Sequence, residues 1–335
     1  MPLPSKTFII AELSANHNNN FDLAVKTIES IAKTGADAVK VQTYRPESLT
    51  INVVNDFFQQ SKSGLWKGYT PWKLFEEASM PYEWQPILKK VAEDNGLIFF
   101  SSPFDLEGVD FLAKLDCPIY KVASPEINDL PLIKHIAKQG KPIIISTGMA
   151  SLSDIEAAIN SCYALGNHDI SLLKCTSEYP APYEKANLLT IPNMKTTFGV
   201  RVGVSDHTLG CTIPIAAIAL GATIIEKHYI LDRSLGGPDS TFSMQPEEFK
   251  KMVEEIRNTE LALGQIDYEL QKDKVGQRRS LFFTKNMEIG EILTECNVRS
   301  VRGNGLIEPK EFSNILGKPL TKVVKKGDPV SWYDL

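Results

Sequence analysis

The chain has 335 residues, with 36 Lys and Arg against 41 Asp and Glu, a formal net charge of −5, 43% hydrophobic residues and 23% charged ones. This is a globular composition with ample apolar material for a core, and its mildly acidic balance excludes a general nucleic-acid binder, which carries a basic stripe. The longest uncharged stretch, residues 209–225, is broken by Pro214 and two glycines and falls short of the roughly 20 apolar residues of a membrane span. Met1-Pro2-Leu3-Pro4-Ser5-Lys6 lacks an apolar signal core. Five cysteines without a C-x-x-C pair fit a reducing cytoplasm rather than a disulfide framework. A cytoplasmic protein without membrane or nucleic-acid partners is expected.

Eight short apolar runs rich in β-branched residues predict strands at 8–13, 38–42, 97–101, 119–123, 142–146, 170–174, 200–205 and 223–228. Each is followed by a segment of helical period. Phe21, Ala24, Val25, Ile28, Ile31 and Ala32 form an i, i+3/i+4 stripe after the first strand. Ser153-Asp154-Ile155-Glu156 reads as a capping box after the fifth. Strands this uniformly apolar belong to a parallel sheet covered by helices on both faces. Eight successive βα units predict closure into a (β/α)8 TIM barrel. An open doubly wound sheet is the alternative, but it more often carries a glycine-rich fingerprint after its first strand. That turn reads Ser14-Ala15-Asn16-His17-Asn18, without glycine.

Between the second and third strands, residues 45–80 carry Phe57, Phe58, Trp66, Tyr69 and Trp72. An insertion this long and aromatic is either a lid over the barrel mouth or a packed surface excursion. The barrel is expected to span residues 1–265, ending in a helix at 246–263. A polar linker is expected at 266–279 and a small second domain at 280–335, marginal alone at that size.

In such a barrel the chemistry lies at the C-terminal strand ends. Those ends supply Glu12; Lys40 and Gln42; Ser101 and Ser102; Lys121, Ser124 and Glu126; Ser146 and Thr147; Lys174, Thr176 and Glu178; Ser205-Asp206-His207; and Glu226-Lys227-His228. A single lysine there is an ordinary rim salt bridge, but Lys40, Lys121 and Lys227 together suit a small multiply charged anion, phosphate first. His207 and His228 end adjacent strands, and two imidazoles with oxygen ligands suit Mn²⁺, Mg²⁺ or Zn²⁺. Asp239, on Gly236-Gly237-Pro238-Asp239, is placed to accept sugar hydroxyls. The residues alone point to a metal-assisted lyase or aldolase acting on an anion. A lysine Schiff-base aldolase stays open.

The motifs Ala11-Glu12-Leu13-Ser14-Ala15-Asn16-His17, Val39-Lys40-Val41-Gln42-Thr43, Ser101-Ser102-Pro103-Phe104, Tyr120-Lys121-Val122-Ala123-Ser124, Ser146-Thr147-Gly148-Met149, Lys174-Cys175-Thr176, Ser205-Asp206-His207-Thr208 and Glu226-Lys227-His228 stand in order along the chain. With them the chain resembles the sialic acid synthase family over essentially its full length, and within it the branch of the pseudaminic acid synthases. Around Ser300-Val301-Arg302-Gly303 and Leu316-Gly317-Lys318 it resembles that family's C-terminal antifreeze-like (SAF) domain. The resemblance implies condensation of phosphoenolpyruvate with an open-chain amino-sugar aldehyde, with loss of phosphate.

Carried over by position, Lys40, Lys121, Ser124, Ser146 and Ser205 hold the phosphate and carboxylate, and Gln42, Ser102, Thr147, Thr176 and Tyr179 complete the substrate contacts. Glu12, Glu126 and Lys121 lie at the reacting atoms, His207 and His228 bind the metal, and Asp239 grips the sugar. Arg302 reaches the sugar from the partner in a swapped homodimer. The resemblance implies Mn²⁺ or Mg²⁺, with Co²⁺ as an alternative. The pseudaminic branch implies 2,4-diacetamido-2,4,6-trideoxy-L-altrose as the sugar. N-acetylneuraminate and legionaminate synthases, which use other 2-acetamido sugars, are the alternative. Many of these carry a His after Gly-Pro-Asp, where this chain has Ser240. A non-catalytic carbohydrate- or ice-binding protein, suggested by the C-terminal part alone, leaves the strand-end lysines, carboxylates and histidines unexplained.

Overall fold

The computed structural model describes residues 6–62, 64–269 and 276–335. The chain divides into two compact units, Met1–Gly264 and Gln265–Leu335. Part of the expected N-terminal segment (1–5) and part of the expected linker (270–275) lie outside the described residues.

In the first unit eight parallel strands close into a barrel: β1 Phe8–Glu12, β2 Ala38–Thr43, β3 Ile98–Pro103, β4 Tyr120–Val122, β5 Ile143–Ser146, β6 Ile170–Cys175, β7 Arg201–Asp206 and β8 Ile224–His228. All eight expected strands are present, and the open sheet is excluded by pairing of β1 with both β2 and β8. That closure makes Glu12 the register partner of Lys40 on one side and of His228 on the other.

Along each strand, successive side chains alternate between the barrel interior and the helical layer. Phe8 and Phe100, with ring centroids 6.4 Å apart, are fully buried. Gly203 on β7 sits where a Cβ would strike the backbone of Ile224 and the side chain of Leu173, so glycine permits the close strand approach there.

The outer layer comprises α1 Phe21–Ile31, α4 Gln85–Asp94, α5 Leu106–Lys114, α6 Leu130–Ala137, α7 Leu152–Tyr163, α8 Thr190–Phe198, α9 Thr212–Ala219 and α10 Pro246–Leu263, with α2 Pro46–Leu49 and α3 Pro71–Ala78 inside the insertion. On α1 the expected stripe buries Ala24, Ile28 and Ile31. The capping box of α7 falls two residues before the expected one. Ser151 is the N-cap, and Asp154 at N3 reaches back to its N–H at 2.8 Å. Residue Asp154 was the acidic partner of the box rather than its second position. Among the described residues no helix is long and apolar enough to cross a membrane.

The second unit has its own core of Leu281, Phe283, Met287, Leu293, Val298, Ile307, Ile315, Leu320, Val324 and Val330. It is built on the antiparallel pair β9 Arg279–Phe283 and β10 Val298–Arg302.

Candidate active site

The interior-facing strand ends form a buried polar floor. The Nζ of Lys40 is ion-paired with Glu12, lies 3.8 Å from Glu226 and donates to Ser102 Oγ at 3.4 Å. Lys121 donates to Ser146 Oγ at 2.6 Å and to the Val122 carbonyl at 2.9 Å, while Ser205 donates to Glu226 Oε1 at 2.9 Å. All of these side chains are buried.

Burial pushes Glu12 up to about 7, despite Lys40 beside it. Glu226 goes the other way: burial opposes ionisation, but Lys121 and Lys40 outweigh it and hold this carboxyl below its usual range. The floor therefore keeps one firmly ionised carboxylate, one that readily takes a proton, and two lysines. Among the described residues Glu12 Oε1 and Glu226 Oε2 have no hydrogen-bond donor. Two inward cations with neighbouring serine hydroxyls are suited to a small dianion or trianion.

Above this floor stand the two histidines, their ring centroids 5.3 Å apart. His207 Nδ1 lies 2.9 Å from the Thr176 carbonyl. This contact places the proton on Nδ1 and leaves Nε2 free. Burial opposes a charge on His207, yet Cys175 at 4.0 Å and that carbonyl raise its pKa. Burial lowers His228 well below its usual value, and its Nδ1 has no hydrogen-bond partner among the described residues. That nitrogen is 3.7 Å from Asp239 Oδ2, which accepts from Ser14 Oγ at 2.6 Å.

A neutral buried imidazole with an orphaned nitrogen, next to one whose Nε2 is free, is a donor pair that fits a divalent ion. Among the described residues no three His, Cys, Asp or Glu converge into a closed metal cage.

The mouth over the histidines is a cavity of about 310 Å³. Ser14, Gln42, His228 and Asp239 line one side, and Leu49, Trp66, Leu74, Phe75 and Ala78 contribute to it from the insertion. Trp66 Nε1 donates to the Pro238 carbonyl at 3.1 Å, and its ring packs 5.6 Å from Tyr179. The insertion therefore roofs the mouth, although Phe57 is 90% exposed and takes no part. Gly237 has φ +109°, and a Cβ there would collide with Asn18. Glycine lets the loop carrying Asp239 close onto the β1–α1 turn.

The NeuB family profile matches residues 27–268 and the SAF domain profile residues 278–335. The chain is 44% identical over 331 residues to a pseudaminic acid synthase of Helicobacter pylori, covering 98% of this chain and 97% of that one. It is 43% identical over 332 residues to a pseudaminic acid synthase of Campylobacter jejuni, covering 98% and 96%. A crystal structure of an N-acetylneuraminic acid synthetase from Leptospira borgpetersenii, in complex with citrate, superposes with a TM-score of 0.71 at 33% identity, covering 81% of this chain and 89% of that one. The chain belongs to the NeuB family.

In this NeuB-family barrel Glu12, Lys40, Ser102, Lys121, Ser146, Ser205, His207 and His228 converge, with Gln42, Tyr179 and Asp239 around the mouth. Ser124 is buried beside them and accepts from the Gly148 N–H at 3.0 Å. Two hydroxyls are otherwise engaged. Thr147 Oγ1 donates to the Leu173 carbonyl and Thr176 Oγ1 to the Lys185 carbonyl, at 3.0 and 3.1 Å. Arg302 is exposed on β10 of the second unit.

Lys227 does not join the floor. Because Glu226 and His228 point inward, alternation turns Lys227 outward, where it pairs with Asp206 at 2.5 Å and donates to the Thr208 carbonyl at 2.6 Å. Lys174 is likewise outward, since Cys175 next to it faces His207; its Nζ donates to the Cys175 carbonyl and to Thr176. Glu178 is exposed and paired with Lys185. The role of Glu226 went unread in the sequence. Its parity with His228 was the available signal, because a carboxylate two residues before an inward histidine faces the same interior. Tyr44 and Phe242, which wall the mouth and the histidine pair, carried no signal beyond being aromatic.

Glu126, on the turn Ser124–Asn128 after β4, is mostly buried, and its Oε2 has no partner among the described residues. Burial pushes it up to about 7. Its folded pKa lies above its unfolded value, so the native state binds the extra proton between about 4.5 and 7, and stability falls as pH rises through that window. Glu126→Gln is therefore expected to unfold at higher denaturant than the parent at pH 8, by up to about 3 kcal/mol. The difference should close toward pH 4.5, while turnover drops. Urea titrations at the two pH values check this.

Proposed function

We propose that this chain condenses phosphoenolpyruvate with open-chain 2,4-diacetamido-2,4,6-trideoxy-L-altrose and water, giving pseudaminic acid and phosphate. The observation that carries this reading is near-full-length similarity to two pseudaminic acid synthases, joined to a barrel floor built for a small polyanion. Lys121, Lys40 and the serines Ser102, Ser146 and Ser205 bind the carboxylate and phosphate. The sugar enters through the roofed mouth, where Asp239, ordered by Ser14, accepts its hydroxyls.

The C3 methylene of phosphoenolpyruvate forms the new carbon–carbon bond to the aldehyde carbon, whose oxygen takes up a proton. Water adds at C2 and loses a proton. The C2–O bond to phosphate then breaks and the C2 hydroxyl gives up its proton to the departing phosphate, leaving the keto group. Glu126, with a carboxyl near pKa 7 and a free oxygen, can accept the proton from water. Glu12, of similar pKa and hydrogen-bonding freedom, can supply one at the floor. His207 and His228 are the residues that would hold a divalent ion, Mn²⁺ or Mg²⁺ first and Co²⁺ as the alternative, and when bound it would polarise the aldehyde as a Lewis acid. Trp66 and the rest of the roof exclude bulk water from the cationic C2 centre.

The proposal extends to a cytoplasmic homodimer in which Arg302 of a second copy reaches the sugar. Mixing an Arg302→Ala chain with a Lys121→Met chain then restores part of the activity.

The deciding experiment measures phosphate release from phosphoenolpyruvate with a panel of 2-acetamido and 2,4-diacetamido hexoses, with and without EDTA. Turnover with the diacetamido trideoxy sugar, lost in EDTA and regained with Mn²⁺, is expected. Phosphoenolpyruvate labelled with ¹⁸O at the bridging position should deliver the label to phosphate. Turnover with N-acetylmannosamine alone overturns the sugar, and label retained in the keto acid overturns C–O cleavage. Calorimetric titration of Mn²⁺ into the parent and a His207→Ala, His228→Ala chain tests the metal pair apart from activity.

A further inference from the structure

The cavity at the barrel mouth has two unlike sides. Ser14, Gln42, His228 and Asp239 make a hydrogen-bonded side, with Gln42 Nε2 donating to Ser14 Oγ at 3.1 Å and that hydroxyl donating on to Asp239. Leu74, Phe75 and Phe104 contribute an apolar wall against the ring of Tyr44, whose hydroxyl interacts electrostatically with Asp239 and Glu12 on the polar side. Tyr44 packs edge-on to Phe75 at 6.1 Å and to Phe104 at 5.2 Å, so the wall is a contiguous cluster. Leu74 and Phe75 stand half-buried on α3, which belongs to the insertion and not to the barrel.

A linear six-carbon aldehyde bound here has its orientation fixed by its ends. Its C1 must lie over Lys40, Lys121 and the histidines, where phosphoenolpyruvate meets it. Its hydroxyls need the side of Asp239. The far end, C6, is then directed at the roof. A methyl group at C6 loses only water there, whereas a C6 hydroxyl against such a wall gives up its hydration without gaining a partner.

We propose that Leu74 and Phe75 are specificity-determining residues that read the deoxygenated C6 end of the sugar, making the insertion a selector as well as a roof. This inference rests on the diacetamido trideoxy sugar being the substrate. Steady-state kinetics should therefore compare that sugar with its 6-hydroxy counterpart, which differs by one oxygen. The parent should prefer the deoxy sugar in kcat/KM by roughly 10- to 100-fold, the range an apolar pocket achieves against an added hydroxyl. Leu74→Gln and Phe75→Gln should each cut that ratio by about tenfold, mainly by improving the hydroxylated sugar, since a side-chain amide restores its missing partner. Leu74→Met should leave the ratio unchanged.

A parent that turns over neither sugar overturns the substrate reading itself. A parent that uses both equally leaves that reading standing and overturns the selector. Preference retained in both Gln variants, or lost as fully in Leu74→Met as in Leu74→Gln, also overturns the selector.

Discussion

Replacing Lys121 with methionine is expected to leave a folded barrel that has lost about 2–5 kcal/mol of binding in the transition state, a fall in kcat/KM for phosphoenolpyruvate of roughly 30- to several-thousand-fold. Lys121 is buried, and its Nζ donates to Ser146 Oγ and the Val122 carbonyl. With Lys40 it is one of the two lysines that the floor presents to a bound phosphate or carboxylate. Methionine preserves the volume, and Glu226 keeps Lys40 at 3.8 Å, so the native near-ultraviolet dichroism should persist. Phosphate-release kinetics with that spectrum as a control make the check, and an unchanged kcat/KM would sink the assignment.

The same residue carries the Schiff-base alternative, because burial lowers its pKa, as an amine nucleophile requires. The condensation proposed here needs no covalent intermediate. Pyruvate with borohydride should therefore leave the intact mass of the protein unaltered, and a trapped adduct would favour the aldolase.

A second large effect is expected at Lys40, in stability as well as activity. Lys40→Met leaves Glu12 and Glu226 buried without the cation between them, and breaking one side of a buried ion pair costs about 3–5 kcal/mol. The sign with pH follows from Glu12. Its pKa is already pushed up to about 7 by burial, and Lys40 is the main influence holding it from rising further. Without Lys40 the native state retains that proton to higher pH, so the variant loses ground against the parent as pH rises from 6 to 8.5. Urea unfolding at these pH values measures the loss, and Glu12→Gln in the Lys40→Met background should recover part of it. Equal stability of Lys40→Met and the parent at pH 8.5 would show that the floor is not held by this pair.

The legible part of the site was its list of residue types. Apolar runs ending in Glu12, Lys40, Lys121 and His228 are visible in one dimension because a strand buried on both faces must end where polar side chains resume. Lys227 shows how reading ends as sets goes astray. Three consecutive charged or titratable residues, Glu226-Lys227-His228, cannot all face one interior, since a strand alternates every residue. Applying that period turns Lys227 and Lys174 outward and promotes Glu226. The capping box of α7 slipped for a similar reason: Ser151 and Ser153 both precede Asp154, and only the backbone shows which hydroxyl meets the free N–H groups. Thr147 and Thr176 follow the ends of β5 and β6, but their hydroxyls bond to backbone carbonyls, which no spacing reveals.

What the sequence determined by itself was the eightfold βα order, the small second domain and the chemical types available at the strand ends, because hydrophobic period and polar interruption are local properties. Only the tertiary structure decided which of these groups meet. Barrel closure sets Glu12 beside both Lys40 and His228, joining the first strand to the second and the eighth. The raised pKa of Glu12 and the lowered one of Glu226 follow from burial and from charges far away in the chain. The roof, likewise, is a contact between residues 45–80 and the Pro238 loop. The net charge of −5 averages over a surface, whereas burial in a low-dielectric interior sets how two lysines act on an anion at the floor.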